Sequence, residues 1–170
     1  MYPNIKLNIG AGNTTIPDFI PIDIKFGQRA EKLNFETNSV SQIRASHILE
    51  HFRDLHDPCG KPDEPRVLLV LLEWVRVLRP GGIIKIAVPD RDWCFREAQD
   101  PNSPHNWQGV LLGGQINSYD IHKTTFSRAK LAQVMRQAGL ISIQPWTSQY
   151  NDAASLPCSL NLKGFKQNAT

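Results

Sequence analysis

With 170 residues the chain is long enough for one domain with one hydrophobic core. Hydrophobic residues at 41% and charged residues at 21% are ordinary for a soluble globular protein and exclude a disordered chain. The net charge is +3 and no run of Lys or Arg forms a stripe, so the surface reads as solvated and nucleic acid is not the expected partner.

Ile5–Ile9 reads as a first strand. Its alternating run, Lys6-Leu-Asn-Ile, leads into Gly10-Ala-Gly-Asn13, a tight turn whose glycines let backbone come close to a ligand. Phe19–Ile24 reads as a second strand, with Asp23 near its tip. An acid there can accept hydrogen bonds from both hydroxyls of a ribose. The spacing therefore predicts a nucleoside site whose candidate contacts are Asn8, Gly10, Ala11, Gly12, Asn13, Asp23 and Ile24. Asn8, polar inside a strand, either bonds a neighbouring backbone group or faces the ligand. A dinucleotide fingerprint would need a third glycine where Thr15 stands and an acid roughly 20 residues on; Asp23 follows Gly12 too soon. Only about ten residues join the two strands, whereas a parallel crossover normally takes a dozen or more and a helix. The first helix is expected to be shortened to a turn or missing, leaving the amides of Gly10–Thr14 to form a nest for the ligand's charged end.

Any third strand, near Ala30–Leu33, is brief. Gln42–Ser46 reads as the fourth, followed by a short helix or turn over His47–Phe52. Asp54–Glu64 is a loop, with Pro65 suited to a first helical turn and Asp63 or Glu64 as its cap. Val67, Leu68, Leu71, Leu72, Val75 and Leu78 recur at helical spacing, and the helix is expected to run to about Arg79, where Pro80-Gly81-Gly82 stops it. Ile83–Val88 is a fifth strand, apolar enough for burial on both faces. Residues 90–122 lack periodicity and read as an insertion over the carboxyl ends of the strands. Ser127 caps a helix to Ala138, Gly139 follows as its C′ residue, and Leu140–Trp146 and Ser159–Phe165 are the last two strands. The whole of 1–170 reads as one domain.

Cys59, Cys94 and Cys158 are odd in number and widely spaced, and no Cys-x-x-Cys or Cys/His pattern appears. They read as thiols in a reducing cytoplasm, and no metal is implied. No secretory signal precedes the first strand. The most apolar run, Val67 to Leu78, is interrupted by Glu73 and Arg76 and is too short to span a bilayer, so no membrane insertion is expected. Nothing in the pattern specifies an oligomer.

Taken together, Leu-Asn-Ile-Gly-Ala-Gly, Asp23, Leu49-Glu-His51 and Leu78-Arg-Pro-Gly-Gly82, in this order, resemble the class I S-adenosylmethionine-dependent methyltransferases over roughly residues 5–165. Gly113-Gly-Gln115 with Ile121-His-Lys-Thr-Thr-Phe-Ser127 resembles the compact members linked to glycan and surface-polysaccharide synthesis. The resemblance implies an α/β fold: a compact, Rossmann-like, mostly parallel sheet with an antiparallel last strand. It also implies the cofactor, S-adenosyl-L-methionine, since the spacing alone implies only a nucleoside.

Ser46 and His47 end the strand that borders the methyl-transfer centre in such a fold, and are candidate cofactor contacts. Enzymes that methylate exocyclic amines of bases or glutamine carry Asn or Asp, then Pro-Pro-aromatic there; Ser-His-Ile-Leu argues against that chemistry. His122 is the favoured catalytic base, with His51 second, because imidazole titrates near neutrality and can take a hydroxyl proton. Glu50 beside His51 is explained by packing and capping. Asp90 and Asp92 either meet substrate hydroxyls or cap a helix, and Trp93, Trp107 and Tyr119 pack a lid, one of them available for a cation–π contact with the sulfonium. The expected reaction is methyl transfer to a hydroxyl of a small molecule, with a sugar as the acceptor class. The alternatives are a cofactor-binding domain acting through a partner, and methylation of a protein or nucleic acid.

Overall fold

In the computed structural model, residues 4–54, 57, 64 and 66–168 are described. Among them six strands form one sheet: β1 (Ile5–Ile9), β2 (Ile20–Ile22), β3 (Val40–Ser46), β4 (Leu78–Pro89), β5 (Leu140–Pro145) and β6 (Ser159–Lys166), in the order β2-β1-β3-β4-β6-β5. The strands β1 to β4 run parallel, and β6 is antiparallel to both β4 and β5. Among the described residues four α-helices accompany them: α1 (Val67–Val77), α2 (Arg91–Gln99), α3 (Trp107–Leu112) and α4 (Arg128–Gln137). This is a mostly parallel α/β sheet, and only turns lie between β1 and β2 where a first helix would stand.

Burial sorts the two faces. Leu7, Ile9, Ile43, Ala45, Ile84, Ile86, Leu160 and Leu162 point to one side, where Val70, Leu71 and Trp74 of α1 and Leu131 and Met135 of α4 close a single core. Trp74 is fully buried, yet its indole N–H donates to the carbonyl of Ala30 at 2.8 Å. That bond, with Glu73 accepting from the Leu33 amide at 2.8 Å, holds segment 30–33 as a loop. The brief third strand expected there is only an isolated bridge between Arg29 and Lys32. Side chains of α1 satisfy its backbone, so no ladder is needed.

Three other expectations are corrected. Helix α1 starts at Val67 with no side-chain cap, because the Val67 amide donates to the Arg53 carbonyl at 2.8 Å; Glu64 is not its cap, and Asp63 and Pro65 lie outside the described residues. The helix ends at Val77, and Pro80-Gly81-Gly82 belongs to β4. There the register passes from Val40↔Leu78 to Gln42↔Ile83, so three extra residues bulge out of the strand. A proline without an amide and glycines free in φ suit such a bulge. The 90–122 insertion contains α2 and α3, capped by Asp90 and Asn106. Helix α2 buries only Cys94, so its sequence shows no apolar stripe. Helix α4 begins at its Ser127 cap and is followed by Gly139 at φ +90°, as the sequence indicates.

The second sheet face is polar. Asn8, Arg44, Lys85 and Lys163 stand directly opposite one another across β1, β3, β4 and β6. A cation row does therefore exist, assembled across strands and invisible along the chain. For the same reason β4 is buried on both faces only toward its carboxyl end: Ile83 and Lys85 are half-buried, whereas Ala87 on the same face is fully buried. Asp152 pairs with Arg44, and the Trp146 ring lies 5.6 Å from both the Arg44 and the Lys85 cation. Burial, then Lys163 and Arg44, hold the Lys85 amine below its ordinary pKa. Among the described residues, no helix is long and apolar enough to cross a membrane.

Candidate active site

A cavity of about 670 Å3 opens at the carboxyl ends of β1, β2 and β3. Ligands bind open α/β sheets at this edge. Gly10, Gly12, Asp23, Ile24, His47 and His51 lie on its wall, with Tyr119 and Lys123 from the end of the insertion. Asn8, Ala11 and Asn13 instead border a separate depression of about 80 Å3 behind the glycine turn, and Ser46 and His122 line neither. The Asn8 amide donates to the Thr14 carbonyl at 3.2 Å, which is the backbone-bonding alternative. Asp90 caps α2 and Asp92 pairs with Arg91; neither reaches the cavity. Of the three lid aromatics, only Tyr119 lies on its wall.

The expected nest of amides is not free. Gly10 and Ala11 donate to the Ile22 carbonyl at 2.8 and 3.3 Å, Thr14 donates to Ala11, and Gly12 donates to Asp23 Oδ2 at 2.8 Å. With no helix after β1 to fix the turn, those amides are used to hold it against β2. Asp23 Oδ1 also accepts from the Lys25 amide at 3.0 Å. A carboxylate has about four lone-pair sites, so roughly two remain for ribose hydroxyls.

Both glycines of the turn have positive φ, +68° at Gly10 and +52° at Gly12. A Cβ on Gly10 would stand 2.6 Å from Ile48 Cβ, whereas one on Gly12 would meet nothing within 4 Å. Gly12→Ala should therefore lose only the left-handed backbone penalty, about 1–2 kcal/mol. Gly10→Ala should lose a further ~1–3 kcal/mol from overpacking against Ile48. Urea denaturation of the two variants checks this, and equal losses would refute the packing argument.

The other end of the cavity is built around Glu50. This residue lies in a 3-10 turn, Leu49–His51, is 1% exposed, and neither carboxyl oxygen has a hydrogen-bond partner among the described residues. His47 Nδ1 stands 3.6 Å and His122 Nε2 3.9 Å from Glu50 Oε1. The rings of His51 and His122 meet edge to face at 4.9 Å. The Glu50 carbonyl accepts from the amides of Lys123 and Thr124, and the His122 amide donates to Leu112, which presses His122 against the turn. A Cβ on Gly113 would strike the Asp120 carbonyl and the His122 ring, so Gly113-Gly-Gln115 lets the loop fold back this tightly.

Hydrogen bonds assign the tautomers. The Asn161 amide donates to the Ala154 carbonyl, so its oxygen accepts the Ser159 hydroxyl proton at 2.8 Å. Ser159 must then accept from His47 Nε2–H at 3.1 Å, leaving the His47 Nδ1 lone pair toward Glu50. His51 Nδ1–H donates to the Ile121 carbonyl at 3.2 Å, leaving Nε2 unprotonated. Burial pushes His47 down to about 4 and also lowers His51 and His122, so all three are neutral near pH 7. Burial pushes the Glu50 carboxyl up to about 8. His47 adopts φ +52°, and strain of this kind gathers at functional sites. Ser159 and Asn161 carry no signal in the sequence that ties them to this site, whereas Lys123 lies inside Ile121-His-Lys-Thr-Thr-Phe-Ser127.

No family model matches the chain, and no curated protein sequence does. Solved structures do resemble it. An S-adenosylmethionine-dependent methyltransferase from Thermotoga maritima is 17% identical, with 98% of this chain and 84% of that one covered and a TM-score of 0.61. Another, from Methanosarcina mazei, is 14% identical over 99% of this chain and 95% of that one, with a TM-score of 0.60. The 1,6-didemethyltoxoflavin-N1-methyltransferase of Burkholderia thailandensis, solved with S-adenosylhomocysteine, is 19% identical over 98% of this chain and 72% of that one, with a TM-score of 0.56. With the glycine turn, the strand-end acid and the sheet order in place, the chain has the class I S-adenosylmethionine-dependent methyltransferase fold.

Proposed function

We propose that the protein transfers the methyl group of S-adenosyl-L-methionine to a hydroxyl of a small molecule, with a sugar as the acceptor class, in the cytoplasm. The supporting observation is one cavity with two chemically different ends. Asp23, with free lone pairs beside the open space at Gly12, suits a ribose; His51, neutral and with an unprotonated Nε2, suits an acceptor hydroxyl. Fold neighbours include an N1-methyltransferase and a carbon methyltransferase, so the fold leaves the acceptor atom open. The hydroxyl reading rests on the histidine cluster and on Ser46-His47-Ile-Leu in place of Asn or Asp, Pro-Pro-aromatic. A small acceptor is favoured over nucleic acid because none of Arg44, Lys85 and Lys163 lines the cavity.

The protein's work is positioning: holding the acceptor oxygen in line with the methyl carbon and sulfur. The hydroxyl proton passes to the His51 side of the cavity, the oxygen–carbon bond forms, and the sulfur keeps the electron pair of the bond that breaks. Tyr119, 71% exposed on the cavity wall, is the lid aromatic placed for a cation–π contact with the sulfonium.

Calorimetry tests the cofactor half. S-adenosylmethionine and S-adenosylhomocysteine should bind and NAD should not. Asp23→Ala should weaken binding by about 1.5–3 kcal/mol, the worth of hydrogen bonds to a charged group. It should also lower stability by about 1 kcal/mol, because Asp23 caps the 3-10 turn Ile24–Phe26. NAD binding without either sulfur ligand would sink the proposal. A screen of sugars and nucleotide sugars for methyl acceptance tests the other half.

A further inference from the structure

We propose that Glu50, His51 and His122 bind a divalent first-row transition-metal ion at the acceptor end of the cavity. One ligand atom from each lies within 4.8 Å of the other two. Bonds of about 2.0–2.2 Å to nitrogen and oxygen place neighbouring ligands roughly 3–3.5 Å apart, so closure needs side-chain rotation only. The 3.9 Å between His122 Nε2 and Glu50 Oε1 is already near that spacing.

The stronger argument is the donor count. The tautomer set by Ser159 turns the His47 Nδ1 lone pair toward Glu50, and the one set by the Ile121 carbonyl leaves Nε2 as the nitrogen of His51 free to bind. The Glu50 carboxyl group, fully buried, has no hydrogen-bond partner among the described residues. Buried polar groups left without partners in this way call for an explanation, and a cation held in place of the carboxyl proton supplies one. A cation at the centre satisfies all of them. Outer partners of the kind that orient metal ligands are present: a backbone carbonyl on His51, and the Ser159–Asn161 chain on His47 beside the ion.

Two imidazoles and a carboxylate suit Zn2+, Mn2+, Fe2+ or Co2+, whereas Mg2+ and Ca2+ prefer oxygen alone. Three protein ligands leave coordination positions open, and His51 faces the cavity. Resting on the proposed methyl transfer, the ion would take the acceptor hydroxyl; with Nε2 on the ion, His51 would then act as a ligand in place of a proton acceptor, and the hydroxyl proton would leave to water through the cavity mouth. The oxygen so activated would bond the methyl carbon as the carbon–sulfur bond breaks, the sulfur keeping the electron pair. This is metal-assisted nucleophile generation.

The test is titration of chelator-treated protein with Zn2+ by calorimetry and with Co2+ by visible absorption. Expected is one tight equivalent, a d–d band for Co2+, and affinity weaker by about 100-fold or more in Glu50→Gln and His51→Ala, since even outer-shell losses cost 10–100-fold. Circular dichroism and S-adenosylhomocysteine binding report folding. If Glu50→Gln does not fold, half-buried His51 supplies the decisive variant. No binding by wild type, or equal binding by wild type and His51→Ala, overturns the site and leaves a proton shared by Glu50 and His47. Zn2+ binding without S-adenosylhomocysteine binding would preserve the metal site and defeat the methyl-transfer reading; the reverse result would do the opposite.

Discussion

Replacing His51 by alanine should lower turnover by about 10²–10⁴-fold, the usual worth of a positioned proton acceptor, and leave cofactor affinity nearly unchanged. His51 lies on the cavity wall, its Nδ1–H is anchored on the Ile121 carbonyl, and burial with the neighbouring His122 keeps it neutral. Its Nε2 is therefore the unprotonated imidazole nitrogen best placed to meet an acceptor. His122, which the sequence favours, sits behind His51 against Glu50 and does not line the cavity. His122→Ala should cost less in turnover, through loss of the packing that positions His51. Single-turnover rates with an acceptor from the sugar screen, alongside S-adenosylhomocysteine titrations, decide the order. Near-normal turnover in His51→Ala with collapse in His122→Ala would make His122 the group that faces the acceptor.

The largest expected loss of stability is at Asp152. Arg44 and Asp152 pair with side chains 2% and 4% exposed, and Arg44 Nε has no hydrogen bond. Removing one partner of a buried pair costs about 3–5 kcal/mol, because the other charge stays behind without water. Here Lys85 stands opposite Arg44 in the sheet and adds repulsion once the carboxylate is gone. Asp152→Ala should thus lower the urea-unfolding free energy by about 3–5 kcal/mol. Arg44→Met combined with Asp152→Leu should recover most of the loss, since an apolar pair of similar volume is often neutral at such positions. A loss near that of an exposed pair, about 0–1 kcal/mol, would show that water reaches Arg44.

Much of this molecule was legible in the sequence where information is local. The alternation of β1, the apolar spacing of α1 and the Ser127 cap each specify a conformation through neighbours a few residues away; β1 and the start of α4 stand where expected, and α1 forms but ends at Val77, short of Arg79. Local signals misled where backbone groups found distant partners. Ala30–Leu33 resembles a brief strand, but Trp74 and Glu73 hold it as a loop. Pro80-Gly81-Gly82 resembles a helix stop, but it is a bulge accommodated by the ladder to β3.

The sequence by itself determined the parallel α/β core, the absence of a first helix and the ends of the strands around Gly10, Gly12 and Asp23. Hydrophobic period, linker length and turn chemistry act over short stretches of chain, so they can be read along it. Tertiary structure alone decided which groups meet. The cation row of Arg44, Lys85 and Lys163 exists only because strand register aligns residues from three separate strands. The site around Glu50 exists only because Lys123 and Thr124 bond its carbonyl and so bring His122 to His51. Whether the imidazole nitrogens there carry a lone pair or a proton is set by Ser159, Asn161 and the Ile121 carbonyl. Those partners are remote in the chain, and hydrogen-bond direction is a property of three-dimensional contact that residue order does not encode.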